Sequence, residues 1–231
     1  MARRIGTSGK DTIIADQRGE VIRAKGGNDF VLAGAGDDRV HGGGGDDNLS
    51  GDSGDDVVRG QRGDDALFGD GGADVLYGGS GADQLRDFGG GGDLYYGGRG
   101  RDDILVDSGH DHAWGGAGAD RFDLLVGDGA GRSKVKLTVE DFEVGVDTIG
   151  VTERLSIGEY QDAPVDRIVV RTRDLDKDGE ADDLALRIFD DGSANGARLD
   201  GVFELLNVSA EELVETAEQI FGPDLVDTLV I

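Results

Sequence analysis

The chain has 231 residues, and its 49 Asp and Glu residues against 23 Lys and Arg residues give it a formal net charge of -26. A chain this acidic repels nucleic acid and anionic membrane surfaces, so its natural counter-charge is a cation. It has no cysteine, which excludes disulfides and thiol chemistry, and no apolar run approaches the roughly 18 residues of a membrane span. Its 43 glycines would be typical of a disordered linker unless they recur periodically.

A nine-residue period arranges this glycine from Gly6 to Asp123. Thirteen frames follow one another, with Asp87 as a single inserted residue after the ninth frame. The fourth position of each frame is Gly, except in the second frame, which has Arg18. Such regularity predicts a turn with φ > 0 at this position, because a Cβ atom opposes that conformation.

Each frame also carries one acid and one apolar side chain at fixed positions. The apolar eighth position predicts a three-residue strand with its central side chain buried, followed by six residues of glycine-rich turn. Two frames then form one coil of 18 residues, and the sequence predicts an all-β fold, a parallel β-roll with strands stacked on two faces. The eighth-position residues are Ile13, Ile22, Val31, Val40, Leu49, Val58, Leu67, Leu76, Leu85, Tyr95, Ile104, Ala113 and Phe122. The sixth-position acids are Asp11, Glu20, Asp29, Asp38, Asp47, Asp56, Asp65, Asp74, Asp83, Asp93, Asp102, Asp111 and Asp120.

The acidic positions predict metal sites along the two edges of this β-roll. Stacked coils bring acids two frames apart together, for example Asp47 with Asp65 and Asp56 with Asp74. Like charges at such short range destabilise the fold unless a divalent cation lies between them. Carboxylate and carbonyl oxygens favour Ca²⁺, and the chain has no Cys and only 3 His to bind zinc. We therefore expect calcium as the cofactor, about ten ions in all, at the Asp residues of the sixth position.

Calcium binding is expected to drive folding of the repeat. One buried apolar side chain per frame contributes about 1.5–3 kcal/mol, whereas ordering nine backbone residues costs at least about 9 kcal/mol. Metal binding and folding are then a single process.

The columns of the repeat spell GGxGxDxUx, in which U is a large apolar residue. This pattern resembles the haemolysin-type, or RTX, calcium-binding repeat family. The resemblance implies a secreted, extracellular protein that a type I ABC exporter moves out of a Gram-negative cell, unfolded in the calcium-poor cytosol and folded outside. Residues 138–149 resemble the strand pair that follows the repeats of serralysin-like proteases, and residues 226–231 are similar to type I secretion signals.

The sequence departs from the family pattern in its first two frames and at Gly92 and Asp93, where Asp87 precedes a shifted frame. In the second frame Arg18 and Glu20 replace Gly and Asp, which weakens the expectation of a calcium site at Glu20. The first frame matches only in part, and we expect it to cap the roll. Metal binding is thus expected mainly in the later frames.

The period stops at residue 124, so the sequence divides into a repeat domain, residues 6–123, and a β-rich capping and secretion-signal region, residues 124–231. Residues 167–171 and 184–189 are predicted strands. The loop between them begins DxDxDG like a calcium loop, although its flanking strands and Ala185 at the twelfth position argue against an EF-hand. We expect either a further calcium ion or a solvated acidic hairpin here. The candidate ligands are Asp174, Asp176, Asp178 and Asp182.

One α-helix is predicted near residues 210–221. Ser209 begins it, with Glu212 at the capping-box position, and Gly222 and Pro223 end it. We expect this helix to cover an open end of the sheet, because unpaired strand edges invite aggregation.

No catalytic residues are predicted. Residues 51–54, GDSG, resemble the nucleophile motif of trypsin-like proteases, but they occupy repeat positions one to four. His110 and His112 flank the repeat acid Asp111 without an apparent third transition-metal ligand. No HExxH motif, GxSxG triad or phosphate loop occurs, so we expect a binding protein and not an enzyme.

The ninth-position residues fall into two rows, one on each face of the predicted roll. One row is cationic and aromatic on an otherwise acidic protein, and it has three interpretations: a docking surface for the second half, a self-association face, or a site for a polysaccharide or another partner. This row contains Arg23, His41, Arg59, Tyr77, Tyr96 and Trp114. The opposite row contains Ile14, Leu32, Ser50, Phe68, Arg86, Leu105 and Asp123.

Two alternative functions stay open beside a secreted calcium-binding protein. The first alternative is the non-catalytic C-terminal module of a larger secreted protease, lipase or epimerase. The second is a solenoid adhesin. The expected partners are calcium ions and the type I exporter, with no nucleic acid and no membrane span. Self-association and an unidentified extracellular partner are further alternatives.

Overall fold

A computed structural model shows two β-sheets whose parallel strands alternate along the sequence through β16. It describes residues 2–16, 18–126, 135–143, 146–154, 160–162, 167–173, 183–190, 198–205 and 229–230. The first sheet has the spatial order β1 (Ala2–Ile5), β3 (Glu20–Arg23), β5 (Arg39–Gly44), β7 (Val57–Arg62), β9 (Val75–Ser80), β11 (Leu94–Arg99), β13 (Gly109–Ala117), β15 (Val135–Val139), β20 (Arg198–Leu205), β19 (Asp183–Asp190), β18 (Arg167–Arg173) and β21 (Leu229–Val230). The second has the order β17 (Tyr160–Asp162), β16 (Thr148–Arg154), β14 (Arg121–Val126), β12 (Asp103–Val106), β10 (Gln84–Asp87), β8 (Ala66–Gly71), β6 (Asn48–Ser53), β4 (Phe30–Leu32) and β2 (Thr12–Ile14).

The register between strands confirms the predicted coil length. Val31 pairs with Leu49, and Leu49 pairs with Leu67, each 18 residues further along the chain. The spacing becomes 19 where the extra residue lies, so that Leu85 pairs with Ile104. Eighth-position residues therefore stack on one another throughout the repeat, and the fold is the predicted all-β parallel β-roll.

The eighth-position side chains form the core between the two sheets. From Ile22 to Phe122, each of them has no exposed surface. Burial of each large apolar side chain contributes about 1.5–3 kcal/mol. Ile13 is only partly buried, because the first frame lies at the end of the roll and has a neighbouring coil on one side alone.

The strands of the central coils are six residues long, and the prediction of three-residue strands was wrong there. β7 runs from the seventh position of one frame to the third position of the next. The first three positions also pair between coils, as Gln61 does with Gly79. The chain bends at the second position, where Gln61 has a φ of 87° and Asp52 a φ of 71°. The fourth position is left-handed as predicted, with a φ of 129° at Gly54. The left-handed conformation of the second position was not predicted from the pattern.

Both sheets continue beyond the last repeat frame. β14 pairs in parallel with β16, and β13, β15 and β20 form a parallel series. β20, β19 and β18 then pair antiparallel, which confirms the strands predicted at residues 167–171 and 184–189. The helix predicted near residues 210–221 lies outside the described residues. The described part of the chain contains no helix of the length and apolarity that crossing a bilayer requires.

The cationic and aromatic row lies on the first sheet in the predicted order, because each member pairs with the next across neighbouring strands. Its later members form a stack that we call the aromatic ladder: Arg59, Tyr77, Tyr96 and Trp114. The ring centroids of Tyr77 and Tyr96 are 4.7 Å apart and those of Tyr96 and Trp114 are 4.6 Å apart, with interplanar angles of 8°. The Arg59 guanidinium lies 4.6 Å from the Tyr77 ring centroid. The rings therefore cover one another's faces and join four coils of the roll.

Removal of the central ring should weaken the roll. Tyr96→Ala removes two stacked pairs, each contributing about 0.5–1.5 kcal/mol beyond its buried area, so we expect a loss of about 1–3 kcal/mol in the free energy of unfolding. Urea unfolding in saturating calcium measures this loss. Tyr96→Phe keeps both stacks and is expected to retain most of the stability, so equal losses in the two variants would show that stacking contributes little.

Candidate metal sites along the acidic edges

The sixth-position aspartates are buried, although aspartate is ordinarily a surface residue. Eleven of them are at most 3% exposed. Stacking of the coils causes this, since each sixth-position side chain reaches the backbone of the preceding coil, as Asp47 Oδ1 does at the N–H of Asp29. The eleven residues are Asp29, Asp38, Asp47, Asp56, Asp65, Asp74, Asp83, Asp93, Asp102, Asp111 and Asp120.

One oxygen of each carboxylate joins two successive coils. The backbone N–H of Asp29 donates to Oδ1 of Asp47 at 2.8 Å, and the backbone N–H of Asp65 donates to Oδ1 of Asp83 at 2.8 Å. The same bond repeats in two columns, which we call the first and second acidic edges. The first edge contains Asp11, Asp29, Asp47, Asp65, Asp83, Asp102, Asp120 and Asp147. The second edge contains Glu20, Asp38, Asp56, Asp74, Asp93 and Asp111.

The other oxygen of the same carboxylates has no hydrogen-bond partner. Oδ2 of all eleven buried aspartates is inaccessible to solvent and receives no donor. A buried charged oxygen without a partner is strongly unfavourable. Burial, first of all, raises the pKa of Asp56, Asp65 and Asp102 to about 7. In the absence of a cation, the fold therefore disfavours the ionised form of these groups.

Turn carbonyls lie beside these oxygens. A Cβ atom added at Gly78, a first-position residue, would lie 2.5 Å from Asp83 Oδ2 and 2.6 Å from the carbonyl oxygen of Gly97 in the next coil. The carboxylate and the carbonyl therefore face the same space, which the glycine leaves open. Hard oxygen donors of these two kinds are the ligands that Ca²⁺ prefers. The donor set fits calcium at the sixth-position aspartates.

Acids at the start of the repeat have donors within the protein. The Arg4 guanidinium donates to Oε2 of Glu20 at 2.7 Å, so an arginine supplies the positive charge in the frame that lacks the family acid. Oδ2 of Asp11 accepts bonds from the backbone N–H of Thr7 at 2.5 Å and from its hydroxyl at 3.0 Å. These acids differ from the eleven, in agreement with the expectation that the first coil acts as a cap.

Asp147 continues the first edge after the repeat has ended, which sequence reasoning missed. Its Oδ1 accepts the backbone N–H of Asp120 at 2.9 Å, and its Oδ2 accepts the backbone N–H of Glu143 at 2.8 Å. Asp141 likewise accepts bonds from the backbone N–H groups of Gly115 and Gly116. The acids of the sequence EDFEVGVD could have indicated that the edge continues, although they lie outside the nine-residue frame.

A further ladder follows the fifth position on the exterior of the first edge. The backbone N–H of Asp64 donates to Oδ1 of Asp46 at 3.1 Å, and that of Asp46 donates to Oδ1 of Asn28 at 3.2 Å. Sequence reasoning treated this position as variable. Its frequent Asp is explained by this bond, which Asn28 makes as well.

The remaining candidate residues have separate outcomes. Asp174, Asp176, Asp178 and Asp182 lie outside the described residues, so their calcium site stays a prediction. Asp87, treated as a simple insertion, is a buried acid, and burial together with the charge of Asp93 raises its pKa to about 9. Nδ1 of His112 lies 2.6 Å from Oε1 of Glu140. Ser53, from the GDSG sequence, is a strand residue that pairs with Gly71.

The repeat region matches a known family model. Residues 14–49, 50–85 and 96–129 match the family described as RTX calcium-binding nonapeptide repeat (4 copies). No curated protein matches the sequence of the chain. The solution structure of the AlgE6R3 subunit from the Azotobacter vinelandii mannuronan C5-epimerase is similar, with 23% sequence identity, a TM-score of 0.39, and coverage of 70% of this chain and 80% of that chain.

Columns of buried carboxylates beside turn carbonyls, carried by coils of two nine-residue frames, define a calcium-binding parallel β-roll. The matched residues of this region are RTX calcium-binding nonapeptide repeats.

The space beside the first-position glycine can be tested with a matched pair of substitutions. Gly78→Ala places a methyl group against Asp83 Oδ2 and the Gly97 carbonyl, and we expect it to lower stability in calcium by about 1–3 kcal/mol. Gly44→Ala is the control, because nothing lies within 4 Å of its added Cβ, and its effect should stay within about 0.5 kcal/mol. Urea unfolding measures both, and equal effects would show that the space has no special role.

The raised pKa values predict a dependence on pH with a definite sign. A carboxyl whose pKa rises from about 3.9 in the unfolded chain to about 7 in the metal-free roll, as for Asp65, stabilises the roll below pH 4. This contribution disappears as the pH rises to 7. Calcium requires the ionised form, so protons compete with it. Between pH 7.5 and 5.5 we expect the calcium midpoint, followed by circular dichroism, to rise about tenfold or more; an unchanged midpoint would contradict this.

Proposed function

We propose that the protein is a secreted calcium-binding protein whose β-roll folds on binding several calcium ions after export. One observation carries the proposal: eleven buried aspartates each keep one oxygen without a hydrogen-bond donor. Their ionisation at neutral pH is unfavourable in the fold alone, and a bound cation removes this penalty. In calcium-poor cytosol the roll is therefore expected to be unstable, whereas calcium outside the cell stabilises it.

The net charge supports the same switch. With a formal charge of -26, the chain repels itself when compact, and divalent cations reduce this repulsion. Binding to the folded form alone stabilises it by mass action, and several sites add their contributions. The number of ions depends on how many sixth-position aspartates act as ligands; we propose about ten.

Export through a type I ABC exporter rests on the family resemblance. RTX repeat proteins are generally secreted, and an unfolded chain in low calcium suits passage through a narrow exporter. Within the segment similar to the region after serralysin repeats, residues 138–139 lie in β15 and residues 148–149 lie in β16. These strands belong to different sheets and extend the roll by a further coil.

A second candidate function is a non-catalytic module of a larger secreted enzyme or of an adhesin. The aromatic ladder favours a partner for the first sheet, since aromatic and arginine side chains are common interface anchors. Sedimentation in calcium separates the adhesin, which assembles with rising concentration, from a monomeric calcium-binding module.

Calcium titration followed by far-ultraviolet circular dichroism tests the proposal. We expect little β structure in excess chelator at pH 7.5 and a cooperative gain of β structure as calcium is added, because ionised buried aspartates oppose the metal-free roll. Magnesium at the same concentration is the control, since it demands a smaller octahedral site and dehydrates reluctantly. A full β spectrum in chelator would contradict calcium-driven folding, and an equal response to magnesium would contradict selectivity for calcium.

A further inference from the structure

Asp87 is a buried acid in a column whose neighbouring members, Gly69 and Val106, carry no charge. It is the last residue of β10 and pairs with Val106 in the following coil. In the preceding coil, Arg86 pairs with Phe68, so Asp87 lies beside the next residue, Gly69. Gly69 is a first-position residue, so Asp87 takes the first position of its own coil. The additional residue is accommodated in the glycine-rich turn that follows. The Asp87 side chain is 2% exposed, and it lies against Gly69 of the preceding coil.

Three carboxylates converge at this point. Asp74, Asp87 and Asp93 each offer an oxygen atom, and these atoms lie within 4.8 Å of one another. All three residues are at most 2% exposed, and Oδ2 of each has no hydrogen-bond partner. A Cβ atom added at Gly69 would lie 2.5 Å from Asp87 Oδ2 and 2.6 Å from Asp74 Oδ2. The oxygens therefore face a common space. Three carboxylates meet there, which the regular repeat does not produce.

A buried hydroxyl faces the same cluster. Tyr95 has no exposed surface, and its hydroxyl has no hydrogen-bond partner. The carboxylates that interact with it electrostatically are those of Asp87, Asp111 and Asp93, so they lie near the hydroxyl. Tyr95 is the only core residue of the eighth-position column with a polar group.

We infer that Asp87, together with Asp74 and Asp93, forms a calcium site distinct from those of the repeat, with three carboxylates where a regular coil provides one unpartnered oxygen. The inference rests on the proposed function for the identity of the ion. Hard, anionic oxygens fit calcium, and affinity rises with the number of charged ligands and with the rigidity of the site. The backbone here is held by strands on both sides, so this site binds calcium about tenfold or more tightly than the repeat sites do.

Equilibrium dialysis of the full chain against calcium tests the inference. We compare the natural protein with Asp87→Gly, which removes the carboxylate and matches Gly69 of the preceding coil, and with Asp64→Asn, an exposed acid whose column already contains Asn28. The natural protein and Asp64→Asn are expected to bind one ion more tightly than the others. Asp87→Gly keeps Asp74 and Asp93 as repeat ligands and is expected to bind that ion no more tightly than the others.

The outcomes separate this inference from the proposed function. If the natural protein binds calcium and Asp87→Gly binds the same number with the same affinities, the three-carboxylate site is wrong and the repeat sites stand. If the natural protein binds no calcium, the proposed function fails too. Asp87→Asn, which keeps the shape of the side chain, serves if Asp87→Gly does not fold. Unchanged calcium binding with higher stability in Asp87→Asn would show that Asp87 is a buried protonated acid, which overturns the inference.

Discussion

Each coil of the roll is joined to the next through a carboxylate that accepts a backbone N–H with one oxygen and has no protein donor for the other. The first oxygen sets the register, because the bond from Asp65 N–H to Asp83 Oδ1 fixes how far one turn lies from the next. The second creates an electrostatic penalty at the same place. Structure and metal requirement therefore come from one side chain, and the acid cannot be replaced without affecting both.

The ends of the acidic edges show what the second oxygen requires. At Glu20 an arginine donates to it, at Asp11 a threonine does, and at Asp147 the backbone N–H of Glu143 does. Between these ends the protein supplies no donor to Oδ2 of the eleven buried aspartates. The same chain thus contains acids that are satisfied internally and acids that are not. The oxygens without a partner therefore belong to the repeat positions. Stacking of identical turns leaves space beside them, and a cation can serve as their partner there.

Periodicity made the fold predictable, since a nine-residue frame with one buried apolar side chain admits few architectures. Coil length, strand order, the core column and the ninth-position rows were all predicted from residue positions alone. The left-handed second position was not, because side chains as different as Lys25 and Gln61 occupy it. Asp147 was missed because its spacing to Asp120 is 27 residues and belongs to no frame. Sites made by contacts between coils are visible in sequence only while the period holds.

The position of Asp87 illustrates how a repeat tolerates irregularity. Inward and outward side chains alternate along a strand, so an extra residue within a strand would turn the following core residue outward. The turns have no such alternation, and Tyr95 accordingly keeps its pairing with Leu76 despite the longer spacing. The cost is that a carboxylate, Asp87, is buried between Gly69 and Val106 in a column that is otherwise uncharged there. An insertion that preserves the core thus changes the charge of the edge, and changes in metal affinity can arise in the roll without any change in its fold.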